Sequence, residues 1–541
     1  LSNRIEKIND VFRLSFKYDP VLVAAVKALP GRKYDPATRK WTVPAGPHVV
    51  DDILDFATMY GFEVDDGIAD MRVDQTVKSR LPDGFKIITK QDPPAWDHQK
   101  RMVAYAQELP AALWHCGMGT GKTRAAIDFI QTSGFSVVLV LCPLAVIPTW
   151  GKQTKDFAVK DMNPVALGKN FSSIAKKLEA AQFNIDISQH RREICVLIIN
   201  YESAWRDPFR SWALKQEWPL LILDEGHNIK APAGKASRFC ALLGKKAGKR
   251  LALTGTPLPH SPLDAYGLCR ALDPTIFGAS FHRFKMRYAV MGGFQNKQVV
   301  TYQRLDEFQQ RLDRIRIHVS RDVLDLPEAV HTDIPCSLSA ASAKIYESLE
   351  NEFYAMVDSG EITTDNALTR LLRLQQVTSG HIKTDEGEIK ELSSSKAEAL
   401  ETLFQGISND EPVVVFCRFT HDIETVARVA AKTGRQCLEL SGKKKELESW
   451  QEGKAPVLAA QIKTAREGVD MTRARYCVYY SLGFSLSDYE QSLARTHRPG
   501  QTRTVFYYHL VTTGTVDVRV YAALKSRKNV IETILGGRNG H

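Results

Sequence analysis

The sequence predicts an α/β protein of two parallel-sheet lobes with helical protrusions between them, preceded by a small α+β unit. Three observations carry that prediction. Short β-branched runs alternate with helical stretches in two separate series. The stretch 258–395 between the series is longer than a crossover needs and rich in helix formers. Residues 1–70 form a self-contained pattern before the alternation begins. A chain of 541 residues suits several domains. We therefore expect the small unit at 1–70, a linker at 71–90, the first lobe with its protrusion at 91–325, a second protrusion and linker at 326–395, and the second lobe at 396–541.

In the N-terminal unit, Phe12-Arg13-Leu14-Ser15-Phe16 alternates like a strand and Pro20 to Leu29 reads as a helix. Lys40 to Pro44 reads as a returning strand and Val49 to Tyr60 as a second helix. Pro82-Asp83-Gly84 marks the break that follows. The first series of strands is Val137 to Cys142, Val196 to Asn200, Leu220 to Leu223 and Arg250 to Thr254. The second is Pro412 to Cys417, Val457 to Gln461, Tyr476 to Tyr480 and Thr504 to His509.

Two short segments carry chemistry. Gly117-Met118-Gly119-Thr120-Gly121-Lys122-Thr123 precedes a helical stretch, Arg124 to Ile130. Such a loop turns backbone N–H groups onto phosphate oxygens, with Lys122 reaching the β/γ-phosphates and the Thr123 hydroxyl available to Mg²⁺. The strict pattern wants glycine at 116, where Cys116 stands. The run Pro219 to Leu223 then ends in Asp224-Glu225-Gly226-His227, carboxylates at the end of a buried strand. Asp224 suits a hydrated Mg²⁺, and Glu225 suits the attacking water. In the second series, Arg495 and Arg498 are three apart on one expected helix face, as guanidinium groups acting on a γ-phosphate would be.

Composition bounds the rest. Hydrophobic residues make up 44% and charged residues 25%, as in a globular protein. The longest apolar run, Val137 to Ile147, is too short to cross a bilayer and contains Pro143, so no membrane partner is expected. Nine scattered cysteines without CxxC spacing argue against a zinc site or disulfide framework and fit a reducing interior. A net charge of +10, with clusters at Lys245, Lys246, Lys249, Arg250 and at Lys443 to Lys445, favours a polyanionic partner.

In order and spacing the chain resembles the Swi/Snf-type superfamily 2 ATPases from Trp96 to about Arg527. The segments that carry the resemblance are His98-Gln99, the loop at Gly117, Leu141-Cys142-Pro143-Leu144, Asn200-Tyr201-Glu202, Asp224 to His227, Leu253 to Pro257, Ser394-Ser395-Lys396, Val415 to Phe419, Thr464 to Thr472, and Gln491 to Gln501. The resemblance implies two RecA-like lobes that bind ATP and Mg²⁺, with Gln99, Gly117, Gly119, Thr120, Gly121, Lys122, Thr123 and Gln491 at the nucleotide. It implies catalytic roles for Lys122, Asp224, Glu225, Arg495 and Arg498, metal ligation through Thr123 and Asp224, and coupling through Thr254 and Thr256. Pro143, Asn200, Arg418, Thr464 and Gly468 lie in motifs that touch a DNA backbone in that family. Departures include Phe484 where tryptophan is usual and the unusual segment Thr464 to Asp470.

The N-terminal unit resembles the HARP domain of the annealing-helicase branch, through Phe12 to Phe16 and Leu29 to Trp41. Arg32, Lys33, Arg39 and Lys40 there are expected to grip nucleic acid, with Trp41 buried. The segment Phe281 to Tyr288 interleaves basic and aromatic residues, the aromatics being expected in a helical core. The leading expectation is a monomeric translocase on duplex DNA that remodels or reanneals branched structures. It would be cytoplasmic in a bacterial or viral setting and nuclear in a eukaryote. A strand-separating helicase on DNA or RNA and an ATP-gated assembly factor stay open beside it.

Overall fold

The computed structural model describes residues 3–524, other than 28, 30, 47–48, 72–74, 256–260, 279, 293–297, 359–363, 384–387, 466–468 and 484. It divides into two compact units between Val323 and Leu324.

The first unit opens with a five-stranded sheet, in the order Lys33–Asp35, Lys40–Pro44, Val11–Ser15, Arg4–Ile8, Glu63–Val64. Alternation explains its one-sided core: Phe12 and Leu14 are fully buried while Arg13 between them reaches Glu6 at 2.7 Å. Helices Pro20–Val26 and Val50–Tyr60 belong to the same layer pair, and Val26, Ile53 and Phe56 join that core. Asp19 caps the first helix by accepting from the Val21 and Leu22 amides at 2.7 and 3.2 Å, with Pro20 at the first helical position.

Next comes a seven-stranded sheet, in the order Arg316–Val319, Ala111–Cys116, Ala247–Thr254, Trp218–Asp224, Val137–Cys142, Ile194–Asn200, Met162–Leu167, every pairing parallel. The central strands are continuous apolar runs because helices cover both faces. Both edge strands and the interior strand Ala111–Cys116 escaped the sequence reading. Met162–Leu167 carries Pro164, which only an edge strand tolerates, and Arg316–Val319 is four residues of mixed polarity inside the stretch expected to be helical. That stretch does supply helices Ala265–Leu272, Phe281–Tyr288 and Leu305–Asp313, together with the hairpin Ala289–Gly292 and Gln298–Tyr302.

The second unit holds a six-stranded parallel sheet, in the order Ala329–Cys336, Val505–Thr512, Tyr476–Tyr479, Val413–Cys417, Val457–Gln461, Cys437–Leu440. Its edge strand Ala329–Cys336 lies within the segment expected as protrusion and linker, so that expectation of helix alone is corrected. Three consecutive exposed positions, His331 to Asp333, hide it from a periodicity reading. Helices Ala340–Asp358 and Thr364–Thr378 and the hairpin His381–Lys383 with Ile389–Glu391 complete that segment.

Two of the basic residues expected to favour a polyanion serve the fold instead. Lys249 donates to the carbonyls of Ala106, Gln107 and Leu109 at the end of helix Asp97–Glu108, and Arg250 donates to Pro110 O at 3.1 Å. Among the described residues no helix is long and apolar enough to cross a membrane.

Candidate active site

Three neighbouring strands of the seven-stranded sheet bring the sequence motifs to one edge. Ala111–Cys116 runs into the glycine loop, Ala247–Thr254 lies beside it, and Trp218–Asp224 lies beside that. Because all three are parallel, the loop, Thr254 and the two carboxylates emerge at the same carboxyl-terminal end, where open α/β sheets place ligands.

The loop is drawn tight before helix Lys122–Ser133. Thr120 donates through Oγ1 to Gly117 O at 2.8 Å, and Lys122 Nζ donates to Cys116 O at 2.9 Å. Gly121, at φ 78°, supplies the left-handed turn into the helix, and a side chain there would run into the Gln99 amide. A side chain at Gly117 would meet Arg321, which follows the edge strand Arg316–Val319. Gly119 also has positive φ, at 86°. The expected adenine contact, Gln99, is 2% exposed and spends its amide inside the protein: Nε2 donates to Thr120 O at 3.1 Å, and Oε1 accepts from the Trp96 amide at 3.0 Å. His98 Nε2 lies 2.9 Å from the same Thr120 oxygen. In this structure Gln99 therefore shapes the loop from behind, while Trp96 is 42% exposed beside it.

Asp224 is 5% exposed and held from three sides. The Trp150 indole Nε1 donates to its Oδ2 at 2.7 Å, the Glu225 amide donates to Oδ1 at 3.0 Å, and the Tyr201 hydroxyl donates to its carbonyl at 2.8 Å. Burial, followed by the charge of Glu225, pushes the Asp224 carboxyl up to about 6, while Trp150 and Lys122 pull against that rise. Glu225 sits at φ 48°, a strained conformation for a residue with a side chain. Its Oε2 is 3.3 Å from His227 Nδ1, which lies 3.2 Å from Thr254 Oγ1. His227 thus stands between the carboxylate and the end of the next strand. Thr256, the other expected coupling residue, lies outside the described residues.

The donor set fits the group expected here. Thr123 offers a half-buried hydroxyl and Asp224 a carboxylate, hard oxygens of the kind Mg²⁺ takes alongside water and phosphate. Trp150 and Tyr201 were missed as partners of Asp224 because nothing local in the sequence ties them to it, 74 and 23 residues away.

In the second unit, Gln491, Arg495 and Arg498 are close in sequence but differ in setting. Helix Leu486–Thr496 holds Gln491, 2% exposed with Nε2 3.4 Å from Ser487 Oγ, and Arg495 in its last turn. Arg498 lies beyond the helix end, which corrects the expectation of one helical face. Pro499 disfavours helical backbone at the residue before it. The Arg498 Nη1 is 3.4 Å from Val469 O and 3.9 Å from Asp470 Oδ2.

The residues expected at nucleic acid fall into groups. In the first unit Pro143 and Asn200 follow or end adjacent strands; Pro143 is buried, and Asn200 is 4% exposed and donates to Glu202 at 2.9 Å. In the second, Arg418 follows strand Val413–Cys417 with its guanidinium 5.4 Å from the Phe419 ring centre, and Thr464 Oγ1 is 3.4 Å from Gln461 Oε1. Gly468, like Phe484, lies outside the described residues. On the N-terminal hairpin, Tyr34 and Trp41 pair across the strands at 5.0 Å on one face, which leaves Lys33 and Lys40 on the other. Tyr34 is 48% exposed and Trp41 only partly buried, whereas Arg39 is an exposed turn residue at φ 52°.

Models of known families match three stretches: the SNF2-related domain over residues 98–381, the helicase conserved C-terminal domain over 395–500, and the HepA-related protein (HARP) over 12–48. A putative protein p41 from Acyrthosiphon pisum secondary endosymbiont phage 1 is 26% identical over 465 residues, covering 81% of this chain and 97% of its own. The putative ATP-dependent helicase/translocase YwqA of Bacillus subtilis is 25% identical over 78% of this chain, which spans only 46% of YwqA. The DNA repair and recombination protein RDH54 of Saccharomyces cerevisiae is 23% identical over 77% of this chain, which spans half of it. The Sulfolobus solfataricus SWI2/SNF2 ATPase core in complex with dsDNA aligns over 85% of this chain and 96% of its own at 20% identity and a TM-score of 0.39. With the SNF2-related model matching more than half of its residues and the helicase C-terminal model following in order, this chain belongs to the SNF2-related helicase/ATPase family.

Proposed function

We propose that the protein hydrolyses ATP with Mg²⁺ to move along duplex DNA, and that it remodels or reanneals branched DNA. The observation that carries the reading is the convergence of Lys122, Thr254, Asp224 and Glu225 at one end of three adjacent parallel strands. The HARP match over 12–48, the basic hairpin around Tyr34 and the net charge of +10 support a nucleic-acid substrate.

Bound Mg²⁺ would neutralise charge on the β- and γ-phosphates. Thr123 and Asp224 would hold it, and Lys122 would leave the Cys116 and Gly117 carbonyls for the phosphate oxygens. Glu225 would take the proton of the attacking water, with His227 fixing its carboxylate and passing its position to Thr254. Arg495 and Arg498 would offset charge on the γ-phosphate, and Gln491 would support the helix that presents Arg495. Pro143, Asn200, Arg418, Thr464 and Gly468 are proposed to follow the DNA backbone, which positions a motor without reading sequence.

Trp150 is proposed as a positioning residue for Asp224. Trp150→Phe keeps an aromatic ring at this fully buried position and deletes the N–H. The half-saturating Mg²⁺ concentration for ATP hydrolysis is then expected to rise about tenfold or more, as when outer partners of metal ligands are lost. An unchanged Mg²⁺ dependence with normal stability would remove that role.

The DNA reading is tested by steady-state ATP hydrolysis with no nucleic acid, single strand, blunt duplex, fork and duplex RNA. Stimulation is expected to be greatest with forks, and duplex affinity is expected to fall linearly in log K against log salt. A preference for duplex RNA or for unwinding would favour a helicase, and indifference to every nucleic acid would favour an ATP-gated assembly factor.

A further inference from the structure

A cavity of about 560 Å³ lies between the N-terminal sheet and the helical segment that separates strands Ala247–Thr254 and Arg316–Val319. Lys27, Arg32 and Lys33 line it from one side and Arg283, Arg287 and Arg311 from the other; no carboxylate is among its lining residues. Like charges are brought together here, so that burial and the charge of Arg283 both draw the Arg32 pKa down. The acid behind the wall is already committed. Glu307 accepts from Arg287 and Arg311 at 2.8 Å each and from the Tyr288 hydroxyl at 3.0 Å. With Glu307 pairing only Arg287 and Arg311, the lining keeps an excess of positive charge that an anionic ligand would offset.

The cavity is built into the fold. Gly31, at φ 66°, packs so closely that an added Cβ would lie 2.9 Å from Pro44 and 3.7 Å from Thr275 across the boundary. A bidentate pair from Arg314 to Asp52, at 2.5 and 2.8 Å, ties helix Val50–Tyr60 to the same region. The aromatic residues nearby serve the core: Phe284 and Tyr288 are each 1% exposed, and Phe277 stacks on Phe308 at 4.9 Å. The lining therefore recognises charge rather than base faces, and its volume suits a short stretch of strand rather than a duplex.

We propose that this cavity is a phosphate site for a single nucleic-acid strand, formed jointly by the N-terminal unit and helix Phe281–Tyr288. It rests on the nucleic-acid reading above and adds Arg283, Arg287 and Arg311 as strand contacts, with Arg39 and Lys40 outside the lining.

The test is fluorescence anisotropy of a labelled single-stranded oligonucleotide and a labelled fork over a salt series, with the full chain and its Arg32→Ala, Arg283→Ala and Arg283→Lys variants. Arg283 is exposed, so its removal spares the core. Each alanine variant is expected to bind about five- to tenfold more weakly and to lower the log K against log salt slope by about one, the signature of one lost phosphate contact; Arg283→Lys should retain the slope. Unchanged slopes in both alanine variants, with the parent chain binding the fork, would overturn the site alone. No binding of any DNA by the parent chain would overturn the nucleic-acid reading and the site with it. Sodium tripolyphosphate tests the other source of the same chemistry. A thermal shift by tripolyphosphate that Arg283→Ala abolishes, with oligonucleotide slopes unchanged, would assign the cavity to a small polyanion and overturn the strand proposal.

Discussion

Replacing Glu225 by glutamine is expected to lower the turnover of ATP at least about a hundredfold, with nucleotide affinity changed only a fewfold. The exchange keeps the size and the ability to face His227 Nδ1, 3.3 Å away, while removing the charge that accepts a proton. It also removes the neighbouring charge that helps to raise the Asp224 carboxyl, so metal and nucleotide binding should hold or improve. The left-handed backbone at Glu225 is a strained conformation that glutamine inherits. Single-turnover hydrolysis beside fluorescent-nucleotide binding separates the two quantities. Normal turnover would take the general-base role from Glu225, and loss of binding would place it at the nucleotide instead.

Arg498→Ala is expected to reduce kcat on the order of a thousandfold while KM for ATP stays nearly constant. The guanidinium would interact with charge that develops only as the phosphoryl group transfers, so its loss should not weaken ground-state binding. Its present contacts, 3.4 Å to Val469 O and 3.9 Å to Asp470, are long, and its side chain is 32% exposed, so alanine leaves no buried partner stranded. Arg498→Lys should recover part of the rate, because lysine restores charge without the planar fork. A parallel rise in KM with unchanged kcat would recast Arg498 as a binding residue.

The glycine loop and the Asp224-Glu225 pair were legible because their chemistry is local. Phosphate binding needs glycine, lysine and threonine within a few residues, and a buried strand announces itself as an apolar run before its carboxylates. Four interior strands of the seven-stranded sheet were legible for the same reason, but Ala111–Cys116, which leads into the glycine loop, was not read as a strand. Edge strands were not: Met162–Leu167 and Ala329–Cys336 face solvent on one side and lose the continuous apolar pattern. The end of helix Leu486–Thr496 was marked by Pro499, yet the even spacing of Arg495 and Arg498 suggested a helix that continues.

The sequence by itself determined the α/β architecture and the order of the motifs along it, since each depends on residue type and short spacing. Tertiary structure alone decided their environment. It turned Gln99 onto the Thr120 carbonyl, set Trp150 against Asp224, placed His227 beside both Glu225 and Thr254, and placed Arg32 opposite Arg283. Apart from Glu225 and His227, which are neighbours in sequence, these relations join residues far apart in the chain, and no periodicity encodes them. They arise when parallel strands bring loop ends together and burial removes the water that would otherwise screen the charges.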